Sequence, residues 1–139
     1  MKRWIAVLVC AVAGCAGAPR HGTFVQGQDA ALGAVSEDAA GKLRQEFPPD
    51  RYAVVLERAE EDAFGKELDS ALRKAGYEVL GKRRKGGQAV RVRYAVDTVK
   101  ETMLLRLTME VGRQQLSRVY VPRSRGVYPA GPWSAAVPR

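Results

Sequence analysis

Histidine and cysteine, two residue types that often carry out catalysis, are scarce in this 139-residue chain. Its one histidine is His21, and its two cysteines are Cys10 and Cys15. Nucleophilic catalysis by serine or cysteine needs a positioned base, normally histidine, and His21 lies in a Gly/Ala-rich stretch that we interpret as a linker. We therefore expect no enzyme, no metal site of the Cys/His kind and no cofactor.

Acidic residues cluster at Glu57, Glu60, Glu61 and Asp62. Paired carboxylates catalyse glycoside hydrolysis only when both face one cleft. Carboxylates also stabilise the first turn of a helix through its dipole, and a helical pattern follows directly here. We therefore interpret the cluster as the solvated start of a helix.

The thiol of Cys15 suggests a different chemistry, the covalent attachment of lipid. Two cations precede the uncharged run from Trp4 to Ala13, which is the arrangement of a signal peptide. The run is shorter than the roughly 20 apolar residues that span a bilayer. It ends in Val12-Ala13-Gly14-Cys15, which looks like a lipobox. This pattern predicts cleavage between Gly14 and Cys15 and lipidation of Cys15, with residues 1–14 removed.

Lipidation predicts where the protein resides. Each buried acyl methylene contributes about 0.8 kcal/mol, so two or three chains hold a protein at a membrane. In the Gram-negative lipoproteins that this N-terminus resembles, an Asp after the cysteine would favour the inner membrane. Ala16 stands there instead. We expect a lipid-anchored protein of the outer membrane that faces the periplasm.

The rest of the chain divides into three parts by composition. Residues 15–35 read as the lipidated N-terminus and a flexible tether, residues 36–122 as one α+β domain, and residues 123–139 as an irregular Pro/Gly/aromatic tail. Ser36 is the predicted start of the first helix, which ends before Pro48. Asp62 to Ala75 is the clearest amphipathic helix, and Gly76 ends it.

Strand patterns surround the second helix. The predicted strands are 51–57, 77–81, 89–96, 103–111 and 114–121, and several of them alternate apolar with polar residues. Alternation predicts an antiparallel sheet of about four to five strands with one face in water. The two helices are available to cover the other face, so the expected order is α-β-α-β-β-β-β.

The chain is basic, with a formal net charge of +8. The predicted turn at 82–87 contains Arg83, Arg84 and Lys85, and with Arg91 and Arg93 it could form one positive patch. Such a patch is either a solubilising hairpin tip or a contact for anionic lipid, cell wall or an acidic partner. No aromatic-and-basic stacking pattern accompanies it, so we do not expect direct nucleic-acid binding.

Two aromatic residues of the tail are candidate partner-binding residues. An exposed aromatic side chain in a Pro/Gly-rich segment is often an interface anchor, which is one interpretation of Tyr128 and Trp133. The alternative is that Trp133 folds back over the sheet edge as a hydrophobic plug.

A longer pattern suggests a family. The run from Leu116 to Val121, followed by Gly126, Pro129-Ala130-Gly131 and Trp133, resembles the C-terminal signature of the TrbH conjugal transfer lipoproteins. The upstream part is similar as well, with a lipobox, a strand, a helix that ends at Arg73-Lys74-Ala75-Gly76-Tyr77, and then a β meander. The resemblance extends from about residue 47 to 134.

This resemblance implies a role in conjugation. Proteins of the family belong to the mating-pair-formation apparatus, a type IV secretion system that carries DNA and protein across the envelope. A small lipoprotein there would be a structural part or an assembly factor that stabilises or positions larger outer-membrane subunits. The alternative from the residues alone is a free-standing envelope lipoprotein that binds peptidoglycan or anionic lipid through the basic hairpin.

Overall fold

The computed structural model of the protein describes residues 21–25, 27–81 and 87–137. These ranges contain two helices and an eight-stranded sheet. The elements, in chain order, are β1 (Gly22–Thr23), α1 (Asp29–Glu46), β2 (Ala53–Leu56), α2 (Ala63–Lys74), β3 (Val79–Leu80), β4 (Ala89–Thr98), β5 (Leu105–Val111), β6 (Gln114–Arg123), β7 (Gly126–Pro129) and β8 (Ser134–Ala136).

Helix α1 is longer than the sequence suggested. It begins at Asp29, so the prediction that the first helix starts at Ser36 was wrong. Ser36 is buried within the helix, and its hydroxyl donates to the carbonyl of Gly33 at 2.7 Å. Leu32 and Val35 lie on the buried face of the added turns. Glycine and alanine made this stretch look like a linker, but small side chains also allow a helix to pack closely.

Helix α2 matches its prediction. Asp62 is the N-cap, and its side chain accepts a hydrogen bond from the backbone N–H of Gly65 at 2.9 Å. The last turn carries Arg73 and Lys74. Gly76 follows with φ 100°, a left-handed conformation that glycine adopts without strain.

The sheet is mixed, so the prediction of a purely antiparallel sheet of four to five strands was wrong. The strand order is β3-β2-β4-β5-β6-β7, and β2 runs parallel to both β3 and β4. Helix α2 connects β2 to β3, as a crossover between parallel strands requires. Since β3 and β4 lie on opposite sides of β2, they do not form the hairpin predicted around residues 82–87.

Pairs of short strands lie end to end along the long strands β4 and β6. Along β4, β2 pairs with residues 89–92 and β1 pairs with residues 95–96. Along β6, β8 pairs with residues 115–117 and β7 with residues 120–123. The tail predicted as irregular therefore contributes two strands. The strands were not predicted because proline lacks the N–H that a strand donates. Pro129, however, ends β7 at the sheet margin, where a missing N–H is tolerated.

Both helices pack on the same face of the sheet, as predicted, and the fold class is α+β. The inward side chains of β4 and β5 alternate with outward ones as expected and form one core cluster with the buried faces of the helices. Tyr94, Tyr120 and Phe64 are the largest fully buried side chains. No helix among the described residues is long and apolar enough to cross a membrane.

The tightest contact between α2 and the sheet lies at Gly65. A Cβ added there would lie 2.3 Å from the Tyr94 hydroxyl and 2.8 Å from Cδ of Arg58. We predict that Gly65→Ala lowers the free energy of unfolding by about 1–3 kcal/mol, because overpacking outweighs the gain in helix propensity. Chemical denaturation of the purified domain measures the change.

Gly41→Ala is the matched control on α1. An added Cβ there meets no atom within 4 Å, so this variant should be unchanged or more stable by up to about 1 kcal/mol. Equal stability of the two variants would contradict the packing argument at Gly65.

Candidate functional site

The first polar cluster of the domain surrounds the carboxylate of Asp62. Its two oxygens accept from the backbone N–H and the hydroxyl of Thr23, each at 2.9 Å, from the N–H of Gly65 and from the hydroxyl of Tyr94. The Thr23 hydroxyl oxygen in turn accepts from the N–H of Phe64 at 3.1 Å. One side chain therefore joins β1, α2 and β4. We call these residues the Asp62 cluster.

Hydrogen bonding makes Asp62 a weak base. Burial alone would raise the pKa of the carboxyl, but the hydrogen bonds from Tyr94, Gly65 and Thr23 outweigh it and lower the pKa. Burial, together with the hydrogen bond to Asp62, raises the pKa of Tyr94 far above its usual value of 10.0. A charged carboxylate and a neutral phenol are the stable forms of this pair, which suits a fixed connection.

A second polar cluster joins α1 to the C-terminal strands. The Asp38 carboxylate accepts from the guanidinium of Arg118 at 2.8 and 3.1 Å and from the hydroxyl of Tyr120 at 2.7 Å. Arg118 also donates from Nε to the carbonyl of Gly131 at 2.9 Å. Its guanidinium lies 5.5 Å from the ring centroid of Trp133, within the range of a cation–π interaction. We call this group the Asp38 cluster.

Trp133 lies in the Asp38 cluster. The indole is partly buried and packs against the core, an arrangement that resembles the predicted plug. Tyr128 is different. It lies in β7 opposite Val121, and 49% of its surface is exposed.

Arg91 and Arg93 do not form a free positive patch. Nε of Arg91 lies 3.1 Å from Glu57, and Arg93 lies 2.7 Å from Glu110 and 3.7 Å from Glu57. His21 extends the row, with Nε2 at 3.5 Å from Glu110. These charges alternate along the sheet face opposite the helices and largely offset one another.

Several predicted site residues lie outside the described part of the chain. They are Gly14 and Cys15 of the lipobox and Arg83, Arg84 and Lys85 of the basic turn. Among the described residues, no group of three or more His, Cys, Asp or Glu side chains could hold a metal ion.

Four important polar residues were not selected from the sequence. Asp62 was interpreted only as a helix start, and Asp38 falls in the first turn of the helix that was predicted to start at Ser36. Arg118 and Tyr120 occurred in the family-like pattern without an assigned partner. A possible signal was the spacing of Leu116, Arg118 and Tyr120, which places two polar groups on the buried face of β6.

The Asp38 cluster predicts a large difference between two arginine substitutions. Arg118→Ala should lower the free energy of unfolding by about 2–3 kcal/mol, because it leaves Asp38 partly buried without its charged partner. Arg106→Ala removes the exposed pair with Asp97 and should cost about 0–1 kcal/mol. Denaturation of both variants tests this, and similar losses would contradict the assignment.

The buried tyrosines predict an alkaline limit of stability. Burial and the Asp38 carboxylate raise the pKa of Tyr120 above its usual 10.0. The protonated Tyr120 hydroxyl therefore contributes fully to the free energy of unfolding below pH 10.0, and this contribution is lost as the pH rises above 10.0. Tyr120→Phe should cost about 1 kcal/mol at neutral pH and weaken the fall in stability above pH 10.0. Denaturation measured from pH 7 to 11 tests this. Tyr128→Phe is the exposed control, and an equal effect there would refute the prediction.

Comparison with known proteins identifies a family. The model of the family described as conjugal transfer protein TrbH matches residues 18–137. No curated protein and no solved structure matches the chain. The matched range contains all the helices and strands described above and both carboxylate clusters. It covers most of the chain, so the protein belongs to the TrbH family of conjugal transfer proteins.

Proposed function

We propose that the protein is an outer-membrane lipoprotein and a structural or assembly component of a conjugative type IV secretion apparatus. Cys15 carries the lipid after cleavage between Gly14 and Cys15, and the domain faces the periplasm. The observation that carries the proposal is the family match over residues 18–137, which makes the chain a conjugal transfer component.

The positions of the signature residues support a structural role. Arg118, Tyr120, Gly131 and Trp133 all belong to the Asp38 cluster, which holds β8 and the turn before it close to α1. The family-like pattern thus coincides with residues that maintain the shape of the domain. In a subunit of a larger assembly, maintaining a rigid surface is itself the contribution to function.

The charge pairing weakens the alternative of a free-standing lipoprotein that binds peptidoglycan or anionic lipid. That alternative needs the cations of the basic patch, and Arg91 and Arg93 are paired with Glu57 and Glu110. Of the predicted patch, Arg83, Arg84 and Lys85 lie outside the described residues and would have to supply the contact.

Replacement of the two cysteines tests the anchor and the assembly together. In cells that express the neighbouring transfer genes, Cys15→Ser should abolish labelling by radioactive palmitate, release the protein from the membrane fraction and reduce DNA transfer. Cys10→Ser is the matched control, because Cys10 lies in the predicted signal peptide and would be removed with it. This variant should be labelled and transfer DNA normally.

Crosslinking and pull-down of the detergent-extracted lipoprotein identify its partners. We expect recovery of large outer-membrane channel subunits. Recovery of the protein alone, or only with cell-wall fragments, would refute the assembly role and favour the peptidoglycan-binding alternative. Palmitate labelling of the Cys15→Ser variant would refute the anchor independently of the partners.

A further inference from the structure

A groove lies at the end of the domain where α1 begins. The start of α1, the loop between β4 and β5 and the turn between β6 and β7 line this open groove, whose volume is about 600 Å³. We call it the α1–β7 groove. It is separate from both carboxylate clusters, and none of the residues in the predicted patches lines it.

The floor of the groove is the margin of the hydrophobic core. Ala31 and Val127 line it, and both are partly buried side chains that pack against the core cluster. Its walls are open at Gly27 and Gly126, where an added Cβ would meet no atom within 4 Å. Met103 also lines it with 75% of its surface exposed. An apolar floor beside an exposed, flexible thioether is typical of a surface that accepts another side chain.

Unpaired positive charge accompanies this apolar floor. Arg123 lines the groove and Arg125 follows in the same turn. Neither has a carboxylate within 4.0 Å among the residues that the structure describes, whereas Arg91, Arg93 and Arg118 are all paired. The one acidic residue of the lining is Asp29. It lies in the first turn of α1, where the helix dipole offsets its charge.

We propose that the α1–β7 groove binds an acidic segment of another protein subunit. An apolar side chain of that segment would pack on Ala31 and Val127, and a neighbouring carboxylate would lie beside Arg123. A concave site of about 600 Å³ has room for a short peptide segment with one anchoring side chain, which a flat lipid surface does not supply. This inference rests on the proposed role as a subunit of the secretion apparatus.

Photo-crosslinking in mating cells tests the groove with the full lipidated chain. Benzoylphenylalanine at position 103 should form an adduct with a transfer subunit, and mass spectrometry should place the link in a segment with more acidic than basic residues. The same amino acid at Ser70, which is exposed on α2, should not form that adduct.

Charge reversal provides the matched comparison. Arg123→Glu should reduce the adduct about tenfold, because it removes an attraction and adds a repulsion of similar size. Arg113→Glu reverses an exposed charge in the β5–β6 turn at the opposite end of the sheet and should leave the yield unchanged.

Other results would overturn the proposal. An adduct with phospholipid, with a second copy of this chain or with a basic segment would contradict it. The absence of any adduct would also contradict it, as would equal adduct yields from Arg123→Glu and Arg113→Glu. Pull-down of transfer subunits without an adduct at position 103 would refute the groove and leave the assembly role intact. If neither the pull-down nor position 103 captured a transfer subunit, the assembly role would be refuted as well.

Discussion

The Asp62 carboxylate is the interaction on which the arrangement of this domain depends. It accepts from Thr23 in β1, from the first turn of α2 and from Tyr94 in β4. Strand β1 has only two residues, and such a short strand has little stability of its own. The position of Gly65 under the Tyr94 hydroxyl is part of the same arrangement, since only a residue without a Cβ leaves room for the phenol.

The Asp38 cluster does for the C-terminal strands what the Asp62 cluster does for β1. In each case a helix carboxylate receives a buried tyrosine hydroxyl from a central strand and secures a short strand at the margin of the sheet. The two differ in charge. Asp62 is stabilised by neutral donors, whereas Asp38 is paired with Arg118, whose guanidinium also contacts Trp133. The contacts of this side chain with Asp38 and Trp133 require arginine, because lysine has no planar group that could bridge these partners.

Local patterns in the sequence predicted the elements better than their connections. Helix α2 and strands β4 to β6 were predictable because their periodicity and end signals are local. The parallel direction of β2 was not, because alternation specifies which side chains are buried but not which way a neighbouring strand runs. The start of α1 was missed since its Gly/Ala composition is shared by linkers and closely packed helices. Trp133 could be placed only through Arg118 and Asp38, a contact between residues 80 positions apart.

The place of β1 has a mechanical consequence. Among the described residues, Gly22 and Thr23 are the first along the chain that pair with the sheet. Because the hydrogen bonds between β1 and β4 lie across the strands, a force along the axis of β1 loads them in shear, including the bond from Phe24 N–H to the Val96 carbonyl. The Asp62 carboxylate at the start of α2 accepts two hydrogen bonds from Thr23 in β1 and so bears part of that load. A tension that pulled β1 away from the sheet would therefore have to break the strand pairing and the Asp62 hydrogen bonds together.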